Sequence, residues 1–288
     1  MTLWRLWVSD NPIFRYHLFD QTKLRFFRSP WRITAAVAFL ASLYIAIVFY
    51  VAEYGFAELV LFLECFSLWI IAPLMAHSLF AMEFEKATWD MLILTRLTVS
   101  QIVMGKFLSR LVLLFIYISF FIPLIFISIG VGRKLSLYEI LSLVFKTQLV
   151  AISWAIFLVA VTLWLSYRLK RAMLTAAAAF VGQVSVVVIL PILWIMFLEL
   201  IVVDFEPFYS SYWEMETTYN WMFNPVSAII FYNPVFTLLL LFVEGWIDSK
   251  MSAPVLWGTW QGIVYLLLAY LLIVILIRSI SKATRKQL

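Results

Sequence analysis

The chain has 288 residues, of which 65% are apolar and 13% are charged, and its formal net charge is +5 at pH 7. Soluble domains carry about 25% charged residues, so this chain lacks the polar surface that a water-soluble fold of this length requires. The composition excludes a soluble globular domain. It predicts an all-α membrane protein that forms one transmembrane domain over residues 1–288.

The N-terminal arm, residues 1–32, is rich in basic and aromatic side chains. Asn11 is a suitable N-cap and Pro12 suits a first helical position, so we predict a helix that lies at the cytoplasmic membrane surface. Its basic side chains can contact anionic headgroups of membrane lipid; they are Arg15, Lys23, Arg25, Arg28 and Arg32. A simpler interpretation stays open, in which the arm is only a positively charged flank that sets the topology.

Six apolar runs follow the arm, and each is long enough to cross a hydrocarbon layer of about 30 Å as a helix. The first five lie within residues 33–198, and the sixth covers residues 255–277. Their bounds are Ile33–Val51, Leu59–Met82, Phe107–Ile129, Ile140–Tyr167, Ala172–Leu198 and Val255–Ile277. The sequence therefore predicts six transmembrane helices.

The orientation of these helices follows from the lysines and arginines, which concentrate on the cytoplasmic side of a membrane. Most of them lie in the arm, in the gap between the second and third runs, in the gap between the fourth and fifth runs, and in the tail, residues 278–288. We therefore expect both termini in the cytoplasm, and the bacterial cytoplasmic (inner) membrane as the location.

The region between the fifth and sixth runs, residues 199–254, is predicted to face outward. It contains a further apolar run, Pro234–Trp246, which would rise only about 20 Å as a helix and is too short to cross. Asn224-Pro225 and Asn233-Pro234 favour turns, because the residue before a proline is disfavoured in helical geometry. We interpret this apolar run as a re-entrant or interfacial element within the outward region before the sixth helix.

The gap after the second run has a pattern of its own. Glu83, Lys86 and Asp90 are spaced three and four residues apart, so they would share one face of a helix. No glycine or proline interrupts residues 83–95, and we predict an unbroken helix that projects into the cytoplasm. Thr98 and Gln101 match a capping box that starts the third transmembrane helix.

This pattern resembles the permease subunits of type 2 ABC transporters, which are exporter-like and work with separate ATPase subunits. In that family the same gap carries an acidic pair, a Thr, a further acid, leucines, a Thr-Pro-Leu-Ser turn, and an Ile before Gly-Lys. The matching positions here are Glu83, Glu85, Thr88, Asp90, Leu92, Thr95, Leu97, Ile102, Gly105 and Lys106. The chain departs at Ala87, where Gly is usual, and at Arg96 and Thr98, where Pro and Ser are usual.

The resemblance implies that this gap is a coupling helix, which docks on the ATPase subunit. On this basis Glu83, Glu85 and Asp90 would meet basic groups of the ATPase, and Trp89 would enter an apolar pocket there. The residues that the resemblance assigns to coupling are Glu83, Glu85, Lys86, Thr88, Trp89, Asp90, Leu92, Thr95 and Arg96.

The same resemblance implies partners and a division of labour. The partners would be an ATPase subunit, a second permease copy, identical or paralogous, and membrane lipid, with no nucleic acid. Gly105-Lys106 lacks the upstream glycine of a phosphate-binding loop, so we expect no enzyme activity and no cofactor on this chain; ATP and Mg would bind the partner. The expected activity is export of an amphipathic or hydrophobic substrate.

Two ionisable residues fall inside predicted spans. Glu64 and Lys146 lie at similar depths in the second and fourth runs, so they are a candidate intramembrane pair. Alternatives stay open: the pair is purely structural, or Lys146 extends toward the outer headgroups. An alternative function is an ion-coupled secondary transporter that uses Glu64, Lys146 and His77, although His77 also suits a packing role.

Overall fold

A computed structural model describes residues 11–17, 30–54, 57–132, 136–193, 196, 233–234 and 253–287. Among these residues the regular structure is helical, without strands. The helices are α1 (Pro12–Arg15), α2 (Pro30–Tyr54), α3 (Ala57–Ala76), α4 (Ser78–Glu85), α5 (Trp89–Ile93), α6 (Val99–Ser119), α7 (Phe121–Gly132), α8 (Leu137–Leu169), α9 (Ala172–Val184) and α10 (Ala253–Gln287). The prediction of an all-α protein is confirmed.

Five helical stretches are long and apolar enough to cross a membrane, by length and composition. They are Leu59–Glu85, Val99–Gly130, Ile140–Leu169, Ala172–Leu193 and Trp260–Arg285, and they coincide with the second to sixth predicted spans. The first predicted span falls in α2, which is 25 residues long; its described apolar part, Ala41–Glu53, is shorter. By their length and apolar composition, these helices are those of an integral membrane protein.

Helix α8 lies at the centre of the bundle. In the most apolar 18-residue segment of α8, 61% is buried inside the protein, whereas the buried share of the corresponding segment is 39% or less in the other four stretches. Helix α10 packs closely against α8 at Gly262, where an added Cβ would lie 3.2 Å from Leu149 Cγ and from Ser153 Oγ. Tyr265 continues this contact, with its ring centroid 4.9 Å from that of Trp154.

Several regions that the lysine–arginine bias predicts to share a side lie at one end of the bundle. Glu85, at the end of α4, accepts a hydrogen bond from the backbone amide of Ala172, at the start of α9. A cavity at the same end is lined by α5, by Lys170 and by Thr284 near the end of α10. The predicted tail, residues 278–288, continues α10 as a helix to Gln287.

The fifth stretch contains a π-helical turn, Ser185–Ile189. Asn233, predicted to lie in a turn of the outward region, is buried there, and its Nδ2 donates to the carbonyl of Val187 over 2.9 Å. The remainder of the predicted outward region, which includes the re-entrant or interfacial element, lies outside the described residues except at residues 253–254. Residues 18–29 of the arm also lie outside them.

The contact between α8 and α10 gives a test of the packing. Gly262→Leu inserts a side chain where there is no room, so we expect the free energy of unfolding to fall by about 1–3 kcal/mol. Gly182→Leu is the matched control, because an added Cβ there meets nothing within 4 Å. Thermal unfolding of both variants in detergent micelles measures the difference, and equal stabilities would contradict this packing.

Candidate coupling site

The gap between the second and third spans is not one helix, contrary to the prediction. Helix α4 ends at Glu85, and Ala87 follows with a φ of 53°, the left-handed conformation that favours glycine. The amide of Thr88 donates to the carbonyl of Glu83 (2.9 Å), and that of Ala87 donates to the carbonyl of Phe84 (3.2 Å). These two bonds form a Schellman motif, which ends α4 and redirects the chain into α5.

The redirection brings Trp89 back onto α4. The indole is only 8% exposed, and its ring centroid lies 5.0 Å from that of Phe84 and 5.7 Å from that of Phe80. Tyr167 of α8 closes the group, 6.1 Å from Trp89. The predicted role of Trp89 as an anchor in a partner's pocket is therefore wrong for this conformation. These four rings form an aromatic cluster that fixes α5 to α4 and α8.

Glu83 forms an ion pair within the chain, which the sequence analysis did not predict; its contact with a basic group on the ATPase stays a prediction. Its Oε1 lies 2.5 Å from Nζ of Lys106, which is fully buried on α6. The same ammonium donates to the carbonyl of Leu79 over 2.6 Å and lies 4.3 Å from the ring centroid of Phe80. Lys106 therefore attaches the end of α4 to α6 through an ion pair, a backbone bond and a cation–π contact.

Ser166 of α8 attaches the other end of α4. The helix of the second predicted span is interrupted at His77, between the end of α3 and the start of α4. The buried hydroxyl of Ser166 donates to the His77 carbonyl (2.8 Å) and accepts from the amides of Phe80 (3.1 Å) and Ala81 (2.9 Å). Ser166 therefore supplies hydrogen bonds to backbone groups at this interruption.

Glu85 connects α4 to α9. Its Oε1 accepts from the amide of Ala172 over 2.8 Å, which is a charge-assisted bond at the N-terminus of α9. Nearby, Nζ of Lys170 lies 5.0 Å from the ring centroid of Phe84. Glu85 is nevertheless exposed, and its contact with a basic group on the ATPase stays a prediction.

The surface that remains outside these contacts is formed by α5 and the turns on either side. Among the residues assigned to coupling, the exposed ones are Glu85, Lys86, Thr88, Asp90, Thr95 and Arg96, and Leu92 is half-buried. Two apolar side chains that the sequence assignment omitted are also exposed, Met91 at 72% and Leu94 at 77%. We call Lys86, Asp90, Met91, Leu94, Thr95 and Arg96 the exposed edge.

A cavity of about 310 Å³ lies beside the exposed edge. Aromatic side chains from the cluster form part of its wall, and α10 contributes the opposite part. Its lining includes Phe84, Trp89, Asp90, Tyr167, Lys170 and Thr284. The cavity therefore lies between α5, α8 and the end of α10, which are far apart in the sequence.

The N-terminal end of α6 packs against Asn11 and helix α1 of the arm. The N-cap at Asn11 and Pro12 at the first helical position are confirmed, since Asn11 Oδ1 accepts from the amide of Ile13 over 3.0 Å. Asn11 Nδ2 donates to the carbonyl of Gln101 over 2.8 Å, and an added Cβ on Gly105 would lie 2.8 Å from the same nitrogen. The capping box of Thr98 and Gln101 is also confirmed. Glycine at 105 thus allows the arm to lie directly against α6.

Glu64 is bonded to a different residue from the one predicted. Its Oε2 accepts from Nε2 of Gln148 over 2.8 Å, and both side chains are buried. Lys146 lies two residues before Gln148 on α8, about 200° around the helix axis, so it projects from the other side. Nδ1 of His77 lies 2.8 Å from the carbonyl oxygen of Leu74 in the preceding turn, and this local contact favours the packing role.

No protein-family model matches this chain, and a comparison with curated proteins finds no significant match. The likeness to the type 2 permeases therefore rests on the residues of the second-to-third gap. The structure gives one of the departures a physical meaning: Ala87, where the family usually has Gly, occupies a backbone conformation that favours glycine.

The attachment of α4 to α6 can be tested by removing the ammonium. Lys106→Met leaves Glu83 without its partner in a buried position, so we expect the free energy of unfolding to fall by about 3–5 kcal/mol. The double variant Glu83→Gln/Lys106→Met should recover part of this loss. Unfolding in detergent micelles measures both. Lys282→Met, at an exposed position on α10, is the control, and a Lys106→Met protein as stable as wild type would contradict the ion pair.

Proposed function

We propose that this chain is the permease subunit of an ATP-driven ABC transporter of the type 2, exporter-like kind. It crosses the bacterial inner membrane six times, with α2 as the first span and both termini in the cytoplasm. A separate ATPase subunit docks on the exposed edge, and two permease copies, identical or paralogous, complete the transporter. The exported substrate is amphipathic or hydrophobic.

The observation that carries this proposal is that α5 exposes large apolar side chains on its outer side while its inner side packs against the aromatic cluster. The exposed edge presents two large apolar side chains, Met91 and Leu94, between the charged residues Asp90 and Arg96. Apolar side chains bordered by charges are typical of a protein interface. The aromatic cluster directly behind them is packed and rigid, so this surface is prearranged for a partner and has little ordering entropy to lose on binding.

The contacts of α4 give the surface a mechanical connection to the spans. A displacement of α5 acts on α4 through the aromatic cluster. Helix α4 is bonded in turn to α6 by Lys106, to α8 by Ser166 and to α9 by Glu85. A partner that pulls or rotates α5 would therefore move the inner ends of several spans together, as coupling of ATP hydrolysis to transport requires.

Topology supports the same proposal. Helix α1 of the arm, the coupling segment, the turn at residues 168–171 and the end of α10 lie at one end of the bundle, and each carries basic residues. The positive-inside rule places that end in the cytoplasm, where an ATPase has access to it. Helix α2, with 25 residues, is long enough to cross the membrane as well. Together with the five other long helices it gives six spans, of which α2 is the first in the chain.

The alternative of an ion-coupled secondary transporter receives less support. It requires Glu64, Lys146 and His77 to act as a relay, but Lys146 is directed away from Glu64 and His77 is bonded to its own helix. The chain itself needs no cofactor in the proposed function, because ATP and Mg bind the partner, and it has no enzymatic role of its own.

The topology is tested by cysteine labelling. Cys65 is the single cysteine, so Cys65→Ser gives a silent background for Arg96→Cys at the exposed edge and Tyr138→Cys at the other end of α8. We expect a membrane-impermeant maleimide to label Tyr138→Cys in right-side-out vesicles, and Arg96→Cys only after permeabilisation. Labelling of Arg96→Cys from outside would reject both the topology and the docking site.

Docking is tested with the ATPase that co-purifies with the chain from native membranes. Leu94→Ser removes an apolar side chain from the exposed edge, and we expect the ATPase to bind about tenfold more weakly, which corresponds to about 1.4 kcal/mol. Leu137→Ser is the matched control, since Leu137 is 64% exposed but lies about 50 Å away along α8. Equal affinities of the two variants would contradict docking at this surface.

A further inference from the structure

The pair of Glu64 on α3 and Gln148 on α8 lies inside the bundle, apart from the coupling site. Glu64 is fully buried and Gln148 is 6% exposed. The amide of Gln148 donates to Oε2 of Glu64, but Oε1 of Glu64 and Oε1 of Gln148 have no hydrogen-bond partner among the residues that the structure describes. Within that part of the chain, two buried acceptor oxygens are thus left without a donor, in a region where water is scarce.

The surroundings of Glu64 do not supply a positive charge. Among the described residues Glu64 makes no ion pair, and Lys146 lies on another face of α8. The titratable groups near enough to sense its charge are Cys65 on α3 and Tyr117 on α6, both neutral in their ordinary state. Helices α7 and α9, which also pack on α3, carry no titratable residue. An ionised carboxylate without a counter-charge is strongly disfavoured in such a place.

We propose that Glu64 and Gln148 form a proton-binding site within the membrane, in which Glu64 holds the proton on Oε1. The two unpartnered atoms are both acceptors, so the ligand has to provide a donor. Glu64 is fully enclosed, which favours the smallest donor. A single proton converts Oε1 of Glu64 from an acceptor into a donor and gives Oε1 of Gln148 the partner it lacks, so one bound proton satisfies both atoms.

The bound proton makes the contact between α3 and α8 a neutral acid–amide pair. The proton is retained while the pair stays dry and is released when water reaches the carboxyl group, because hydration favours the ionised form. A separation of α3 from α8 during transport would therefore release a proton, and their return would take one up. This inference concerns the bundle itself and does not depend on the identity of an ATPase partner.

Infrared spectroscopy of the full chain in lipid nanodiscs tests the site, since a protonated carboxyl group has a carbonyl band distinct from that of a carboxylate. At neutral pH we expect the wild-type protein to show this band and Glu64→Gln to lose it. Glu53→Gln is the control, because Glu53 is exposed at the end of α2 and should leave the band unchanged. Gln148→Leu should keep the band but shift it to higher frequency, because the carboxyl group loses its hydrogen-bonded amide.

The outcomes separate the proposal from its competitors. A wild-type protein without the band, or a band that persists in Glu64→Gln, would overturn it. A band that Gln148→Leu leaves at the same frequency would show that the amide does not share the proton, and would also overturn it. Because Glu64→Gln keeps the shape of the side chain and a donor, we expect its melting temperature to stay near that of wild type, whereas Glu64→Ala should lower it.

Discussion

The interruption of the helix at His77, between α3 and α4, is the constraint on which the rest of the structure depends. An interrupted helix leaves backbone groups without their usual partners, and the apolar surroundings of a membrane protein offer no water to replace them. Ser166 supplies hydrogen bonds at the start of α4, and Lys106 supplies one more at Leu79. Because these side chains come from α8 and α6, three helices meet at the interruption.

This requirement also explains why α5 presents the surface that it does. Glu83 and Glu85 of α4 and Trp89 of α5 make their contacts within the chain. The outer side of α5, with its two exposed apolar residues, is the surface that the proposed function assigns to the ATPase. In that proposal, binding at this side acts on a segment that is bonded to several helices, and those bonds are the route of mechanical coupling.

The pair of Glu64 and Gln148 follows the same physical rule at a different depth. In both places a polar side chain on one helix completes the hydrogen bonding of another, because an unpaired polar group in an apolar interior is unfavourable. The two places differ in the source of the hydrogen-bond donors. Around α4 the protein itself provides the donors, whereas in our proposal a bound proton provides the donor at Glu64.

The sequence by itself determined the locations of five long apolar helices and the caps at Asn11 and Thr98, because hydrophobicity and capping depend on residues close together in the chain. It did not determine the end of α4 at Glu85, since alanine is a strong helix former and only the folded turn reveals the left-handed conformation of Ala87. The partners of Glu83, Glu85, Trp89 and Glu64 were decided by the tertiary structure alone. Each of these contacts depends on which helices are neighbours and on which faces of them are in contact. The spacing of residues along the chain predicts neither property.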